Sequence, residues 1–308
     1  MGEFEIIREI FAPLTAQAPG AVKLTDDAAL IEGGDFVVTK DIMIAGVHFL
    51  PKDPLDLVAR KLIRVNLSDL AAKGAKPAGY FLGCVWPQGV KREAIELFAR
   101  GLKEDQETYR VALYGGDTAM HASKTAPLTL SATFFGTPAK QGITRRSGAA
   151  LGDDLYVSGT IGDAGLGLAA LKKELTFTTV DKASLASRYH LPEPRLTLGA
   201  AIAGLASAAI DISDGLIADA GHLARASGLR AEIEAVALPR SAAAGAWVAK
   251  QDNRWRALAT LAGFGDDYGF CSPRRRRCAG RSPSPPEASR TEVARIGSLT
   301  RGDGVLSR

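Results

Sequence analysis

Residues 36–72, FVVTKDIMIAGVHFLPKDPLDLVARKLIRVNLSDLAA, decide the fold. The β-branched and apolar run from Phe36 to Met43 follows a Gly-Gly-Asp turn signal and predicts a strand, with Asp41 near its end. Pro54 suits a first helical position, Asp53 suits the N-cap and Gly74 closes the pattern, which predicts a helix over about 55–72. Working outward, strands are expected over 79–85, 111–114 and 127–135, with a helix over 91–109. Alternation of strand and helix indicates an α/β domain. The polar stretch 136–152, which contains Arg145 and Arg146, marks a junction between an N-terminal domain, 1–138, and a C-terminal α/β domain, 139–308. In the second unit a strand is expected over 154–157, then helices from Ala164, over 195–207 and over 215–227, with a strand-like AIDIS between the last two.

The chain has 308 residues, 46% apolar and 23% charged, enough to bury a core without disulfide or structural metal. Cys84, Cys271 and Cys278 fit no zinc spacing and leave an odd thiol, which points to a reducing, cytoplasmic setting. The opening MGEFEII has no basic region before an apolar run and predicts no secretory signal. The longest weakly polar run, Leu198 to Ile210, falls short of the roughly twenty residues that span a bilayer, so no membrane segment is expected. Residues 270–290 hold six arginines against one glutamate, a local excess of +5, leaving −1 for the rest of a chain whose total is +4. The excess is one short block without interleaved aromatics, which argues against a nucleic-acid partner.

Walker-type, HExxH and GxSxG motifs are absent from the sequence. What recurs instead is Asp after apolar stretches: Asp26, Asp27, Asp41, Asp69, Asp117, Asp211, Asp214, Asp266 and Asp267. Asn66 and Asp69 share the apolar face of the helix expected over 55–72, and a carboxylate there must be paired or bound to a cation. The bland alternatives are partnership with Lys61 or Arg64, or capping of a neighbouring loop. Gly115 and Gly116 before Asp117 would let backbone amides approach phosphate oxygens, although GGD alone is usually a turn. Many acids at one site repel unless hard divalent cations neutralise them, which selects Mg²⁺ and phosphoryl transfer. His121, His190 and His222 are expected to be surface or packing groups.

The ordered segments GEFEII, TDDAAL, VVTKDIMIAGVHF, RVNLSDLAAKGA, YGGDT, RRSGA, YHLPEPR, AIDISDGL and GDDY, from Gly2 to about Tyr268, resemble the thiamine-monophosphate kinase family of the aminoimidazole ribonucleotide synthetase-like superfamily. The resemblance implies a two-domain fold whose N-terminal domain forms a barrel in a homodimer. It also implies ATP-dependent phosphorylation of thiamine monophosphate to thiamine diphosphate with several Mg²⁺ ions. By the same resemblance Asp27, Thr39, Asp41, Asp69, Asp117, Asp211 and Asp214 would hold metal, with Asp41, Asp117 and Asp211 at the centre of catalysis. Gly116, Asp117, Arg146 and Ser213 would contact ATP, and His48 and Asp266 the thiamine substrate. Lys40 stands where the family often has Thr, so only its carbonyl could reach a metal.

Residues 269–290 depart from the family pattern, in which an apolar strand and a helix follow GDDY, and no Trp follows Trp255 where the family carries one near its end. The stretch reads either as a solvated, disordered loop or as a frameshifted segment. Two alternatives therefore stand beside the kinase: a sister ATP-dependent synthetase of the same superfamily, and a catalytically impaired relative that retains nucleotide.

Overall fold

The computed structural model describes residues 7–15, 19–31, 36–274 and 291–307. The turn signal at 33–35, most of GEFEII, and 275–290 with its arginine block and Cys278 lie outside the described residues.

Five strands make the first sheet: β1 (Ala29–Ile31), β2 (Phe36–Ile44), β3 (Lys76–Trp86), β4 (Ala112–Met120) and β5 (Thr129–Thr137), in the order β1-β2-β5-β3-β4. β3 and β4 run parallel and the other pairs antiparallel. A parallel neighbour requires a crossover, which α2 (Arg92–Tyr109) supplies between β3 and β4. α1 (Leu55–Ala72) packs against one face, burying Leu62, Ile63, Leu67 and Leu70 with Tyr80, Leu130 and Phe134. The opposite face leaves Phe36, Ile42, Phe81 and Tyr114 exposed, although alternation along a half-buried strand ordinarily puts polar residues there.

The strand expected over 111–114 continues to Met120, through the Gly-Gly-Asp that composition alone reads as a turn. The physical reason is close approach: a Cβ on Gly116 would lie 1.8 Å from the Leu82 carbonyl oxygen, so glycine lets β4 lie against β3.

β6 (Asp154–Ser158), β7 (Ile210–Asp211), β8 (Arg230–Ile233), β9 (Phe270–Arg274), β10 (Val293–Thr300) and β11 (Val305–Ser307) form the second sheet, ordered β11-β8-β10-β6-β9-β7. Its helices are α3 (Asp163–Leu171), α4 (Thr179–His190), α5 (Leu196–Ile202), α6 (Leu216–Ala226), α7 (Ala242–Ala249) and α8 (Arg254–Gly263). α4, α7 and α8 begin at side-chain caps, with Thr178, Ser241 and Asn253 accepting from the amides of Asp181, Ala244 and Arg256. α5 is shorter than the helix expected over 195–207, and Gly204, at φ +78, lies just past its end.

β9 corrects the expectation of a loop from 269. Phe270 and Cys271 are buried, and the strand pairs with β6 on one side and with the two-residue β7 on the other. Pro273 falls beyond the end of β7, where that side of β9 has no β7 partner, a position proline tolerates.

The two halves meet along α1. A Cβ on Gly199 of α5 would come 2.0 Å from the Ala71 carbonyl oxygen. Ala71, Ala72, Leu198 and Phe270 share one buried cluster across this contact.

Candidate active site

α1 carries Lys61, Val65 and Asp69, and its C-cap residue Lys73 continues the same four-residue steps, so they form one ridge along the helix. Asp69 meets β2: Thr39 Oγ1 donates to its Oδ2 at 2.6 Å. Asp41 lies two residues further on the same face of β2, in register with the buried Ala132 of β5. Asp211 ends β7 and is buried. Asp27 arrives from the segment before β1. Its carboxylate pairs with the Arg146 guanidinium and lies 2.5 Å from Lys73 Nζ.

These carboxylates feel one another. Burial, then Asp27, raises Asp41 to about 6. Burial, then Asp27, raises Asp211 to about 7, with Ser68 opposing. Burial, then Asp211 and Asp41, pushes Asp69 well above the usual carboxylate range. Burial works the same way on Asp27, but the charges of Lys73 and Arg146 outweigh it and hold that carboxyl below its ordinary value. Asp219 of α6, which accepts from the Asp214 amide at 3.1 Å, is raised to about 8 by burial and by Asp211. Four acids from four segments thus share a region in which full ionisation without cations is unfavourable.

Lys73 is an unexpected member of the site. It is fully buried, donates to Asp26 Oδ1 at 2.6 Å and to the Ala209 carbonyl at 3.1 Å, and so ties α1 to the segment before β1 and to the second half. Asp26 also accepts from the Arg146 amide at 3.1 Å. The signal for Lys73 in the sequence was its place on the ridge of Asp69, one turn on. The Arg146 Nε is buried with no hydrogen-bond partner among the described residues.

Among the described residues no three Asp, Glu, His or Cys side chains already stand as a metal cage. The donor set nevertheless fits a hard cation: Asp27, Asp41, Asp69 and Asp211 are all carboxylates, joined by one hydroxyl on Thr39, with no soft ligand. The bland partners considered for Asp69 belong elsewhere, since Lys61 pairs with Asp266 and Arg64 with Asp105.

The turn after β7 brings in Ser213 and Asp214. It is stitched to the GDDY segment, the Ser213 carbonyl accepting from the Asp266 amide at 2.8 Å and the Ile212 carbonyl from the Tyr268 amide at 2.8 Å. A Cβ on Gly265 would lie 2.3 Å from the Ser213 oxygen, so this approach needs glycine. Asp214 is exposed beside that turn. Asp266 bonds Lys61 Nζ at 3.1 Å. His48 lies on the exposed loop after β2, its Nδ1 accepting from the Ile44 amide at 3.1 Å. Beside that loop opens a cleft of about 500 Å³ that includes Phe49, Trp86 and Pro87 in its wall.

Asp117 does not join the four acids within the chain. It pairs with Gly83, on the sheet face opposite Asp41, and it is exposed on the edge strand β4 three strands away. Gly116 shares that edge. Lys40 also points to the outer face, donating to Ser131 Oγ at 2.6 Å. Of the remaining histidines, His190 packs through Nε2 onto Asp53 Oδ1 at 2.9 Å.

Residues 25–137 match the model of the AIR synthase related protein N-terminal domain, and residues 151–261 that of its C-terminal domain. A thiamine-monophosphate kinase of Caulobacter vibrioides is 46% identical over 98% of this chain and 85% of its own. That of Salmonella typhimurium is 40% identical over 88% of this chain and 82% of its own. Among solved structures, AaThiL complexed with AMPPCP and TMP superposes with TM-score 0.86 at 29% identity, covering 99% of this chain and 93% of that one. The thiamine-monophosphate kinase of Stenotrophomonas maltophilia superposes with TM-score 0.78 at 34% identity, covering 97% and 96%. Two AIR synthase related domains and this degree of identity along nearly the whole chain mean that it belongs to the thiamine-monophosphate kinase family.

Proposed function

We propose that the chain transfers the γ-phosphoryl group of ATP to the phosphate of thiamine monophosphate, giving thiamine diphosphate and ADP. One observation carries this: Asp27, Asp41, Asp69 and Asp211 gather from four segments into one partly buried acidic site in a chain 46% identical to a thiamine-monophosphate kinase. A phosphate monoester is already mostly dianionic near neutral pH, so the acceptor oxygen needs no general base. The difficulty is bringing two polyanions together.

Mg²⁺ held by Asp27, Thr39, Asp41, Asp69, Asp211 and Asp214 would supply charge neutralisation at the transferring group. The chain's own residues do the positioning. Arg146, whose Nε has no hydrogen-bond partner among the described residues, can turn a planar fork of donors to phosphate, and Ser213 stands at the turn that meets Asp266. His48 and Asp266 would hold the thiamine end.

The same proposal includes a homodimer. The outer face of the first sheet exposes Phe36, Ile42, Phe81 and Tyr114, an apolar surface that a second copy would cover to close a barrel. Gly116 and Asp117 would enter the site through that second copy, because in one chain they face away from the acids. The domains divide near residue 138, between the strands of the two sheets. A reducing, cytoplasmic setting agrees with the buried free thiols Cys84 and Cys271, and no described helix is long and apolar enough to cross a membrane.

A coupled assay that follows ADP and thiamine diphosphate together tests the function. Formation of both in equal amounts is expected. ADP without thiamine diphosphate would favour a synthetase acting on another substrate, and nucleotide binding without ADP would favour an impaired relative.

A further inference from the structure

His48 and Asp266 lie in different halves of the chain, yet one side chain touches both segments. Lys61 of α1 donates from Nζ to the His48 carbonyl at 3.3 Å and to Asp266 Oδ2 at 3.1 Å, although Asp266 is 205 residues further along the sequence. Lys61 is only 2% exposed, and its ammonium lies 4.1 Å from the centroid of the Tyr189 ring. A carboxylate, a carbonyl and a π face thus share a cation that would be costly to bury alone. Burial lowers its pKa, and Asp266 and Asp53 oppose that shift.

Both segments need such restraint. Asp266 has φ of +67, a left-handed conformation that a non-glycine residue adopts only when its surroundings impose it. The His48 loop is held a second time by Asp53, whose Oδ2 accepts from the Leu50 amide at 2.8 Å and from the Tyr189 hydroxyl at 3.4 Å. Tyr189 therefore touches both locks, its ring against Lys61 and its hydroxyl on Asp53. Asp69 lies eight residues after Lys61 on the same helix, about 12 Å along the axis. One rigid element then fixes the spacing between the acidic site and the two segments proposed to hold the acceptor.

We propose that Lys61 is a positioning residue for the acceptor: by holding the His48 loop and Asp266 together it sets the geometry in which the thiamine end is bound. This rests on the kinase function proposed above. Lys61 acts through its neighbours and does not touch the reacting atoms.

The test compares wild type with Lys61→Met and Lys61→Arg in steady-state kinetics, and records the ¹H–¹³C signals of the His48 imidazole without substrate, assigned with His48→Ala. Lys61→Met is expected to raise KM for thiamine monophosphate about tenfold or more, the scale of one lost hydrogen bond to a charged group. KM for ATP should stay within about twofold, Lys61→Arg should recover most of the loss, and the His48 signals should shift in Lys61→Met. Equal changes in both KM values, no change in either, or unmoved His48 signals would overturn the proposal. If Lys61→Met does not fold, Lys61→Gln replaces it, keeping a donor for His48 but no charge for Asp266, with the same selective rise expected and the same results overturning it. A wild-type protein that makes no thiamine diphosphate would overturn the kinase function instead, and the His48 signals would then decide the positioning role by themselves.

Discussion

Thr39 Oγ1 donates to Asp69 Oδ2 at 2.6 Å, joining β2 to α1 where strand and helix both present oxygen to the acidic site. Thr39→Val keeps the shape of the side chain and removes the donor. The Mg²⁺ concentration for half-maximal activity should rise roughly tenfold, as when a group that orients a metal ligand is lost. An unchanged Mg²⁺ titration would remove Thr39 from that role.

Asp41→Asn should lower kcat by roughly 10²-fold or more, the scale seen when a group that stabilises developing charge is removed. Asp117→Asn should be comparably impaired if a second copy delivers Asp117. When the two inactive variants are mixed under conditions that exchange subunits, the heterodimer carries both lesions in one site and neither in the other, so activity should return. No recovery would place Asp41 and Asp117 in the same chain's site or outside it altogether.

Phe81→Asp puts a charge on the exposed apolar face of the first sheet. A shift of the chain toward monomer is expected in size-exclusion chromatography with light scattering. A wild-type chain that is monomeric at micromolar concentration would dismiss the barrel.

Asp267 is buried and accepts from the amides of Gly162 at 2.7 Å and Ala164 at 3.4 Å, and burial raises its pKa from 3.8 to about 7. Its folded-state pKa lies above the unfolded one, so between these values the folded form binds more protons. The stability that Asp267 contributes is complete below about pH 4 and is lost as pH rises through about 7, with a slope of at most about 1.4 kcal/mol per pH unit. Thermal melts across that window should show a shallower pH dependence for Asp267→Asn than for wild type, and identical slopes would contradict the assignment.

Gly199→Ala should lower Tm by several degrees, because its Cβ would stand 2.0 Å from the Ala71 carbonyl where the two halves pack. Gly245→Ala in α7, which meets nothing within 4 Å, should be neutral or stabilise by up to about 1 kcal/mol. Similar melts for the two variants would argue that the contact yields freely.

By itself the sequence determined most of the regular elements of the first half, though not β1 or the full run of β4, because periodicity and punctuation act locally. The strand at Phe36–Ile44 and the helix at Leu55–Ala72 follow from β-branched runs and Gly74, although Pro54 itself, not Asp53, stands at the N-cap, the Asp53 carboxylate accepting from the Leu50 amide instead. It also supplied the acids, since aspartate after an apolar run is visible one residue at a time. Tertiary structure decided what these residues meet. The glycines before Asp117 read locally as a turn, yet they admit a neighbouring strand, and the register then sends Asp117 to the face opposite Asp41. Lys61 in α1 and Lys73 at its C-cap look like ordinary helix cations until α1 is buried between the two halves, where Lys61 meets Asp266 and Lys73 the Ala209 carbonyl, both far along the chain. Burial removes water as the alternative partner for a charge, and which distant group replaces it is settled only when the chain folds.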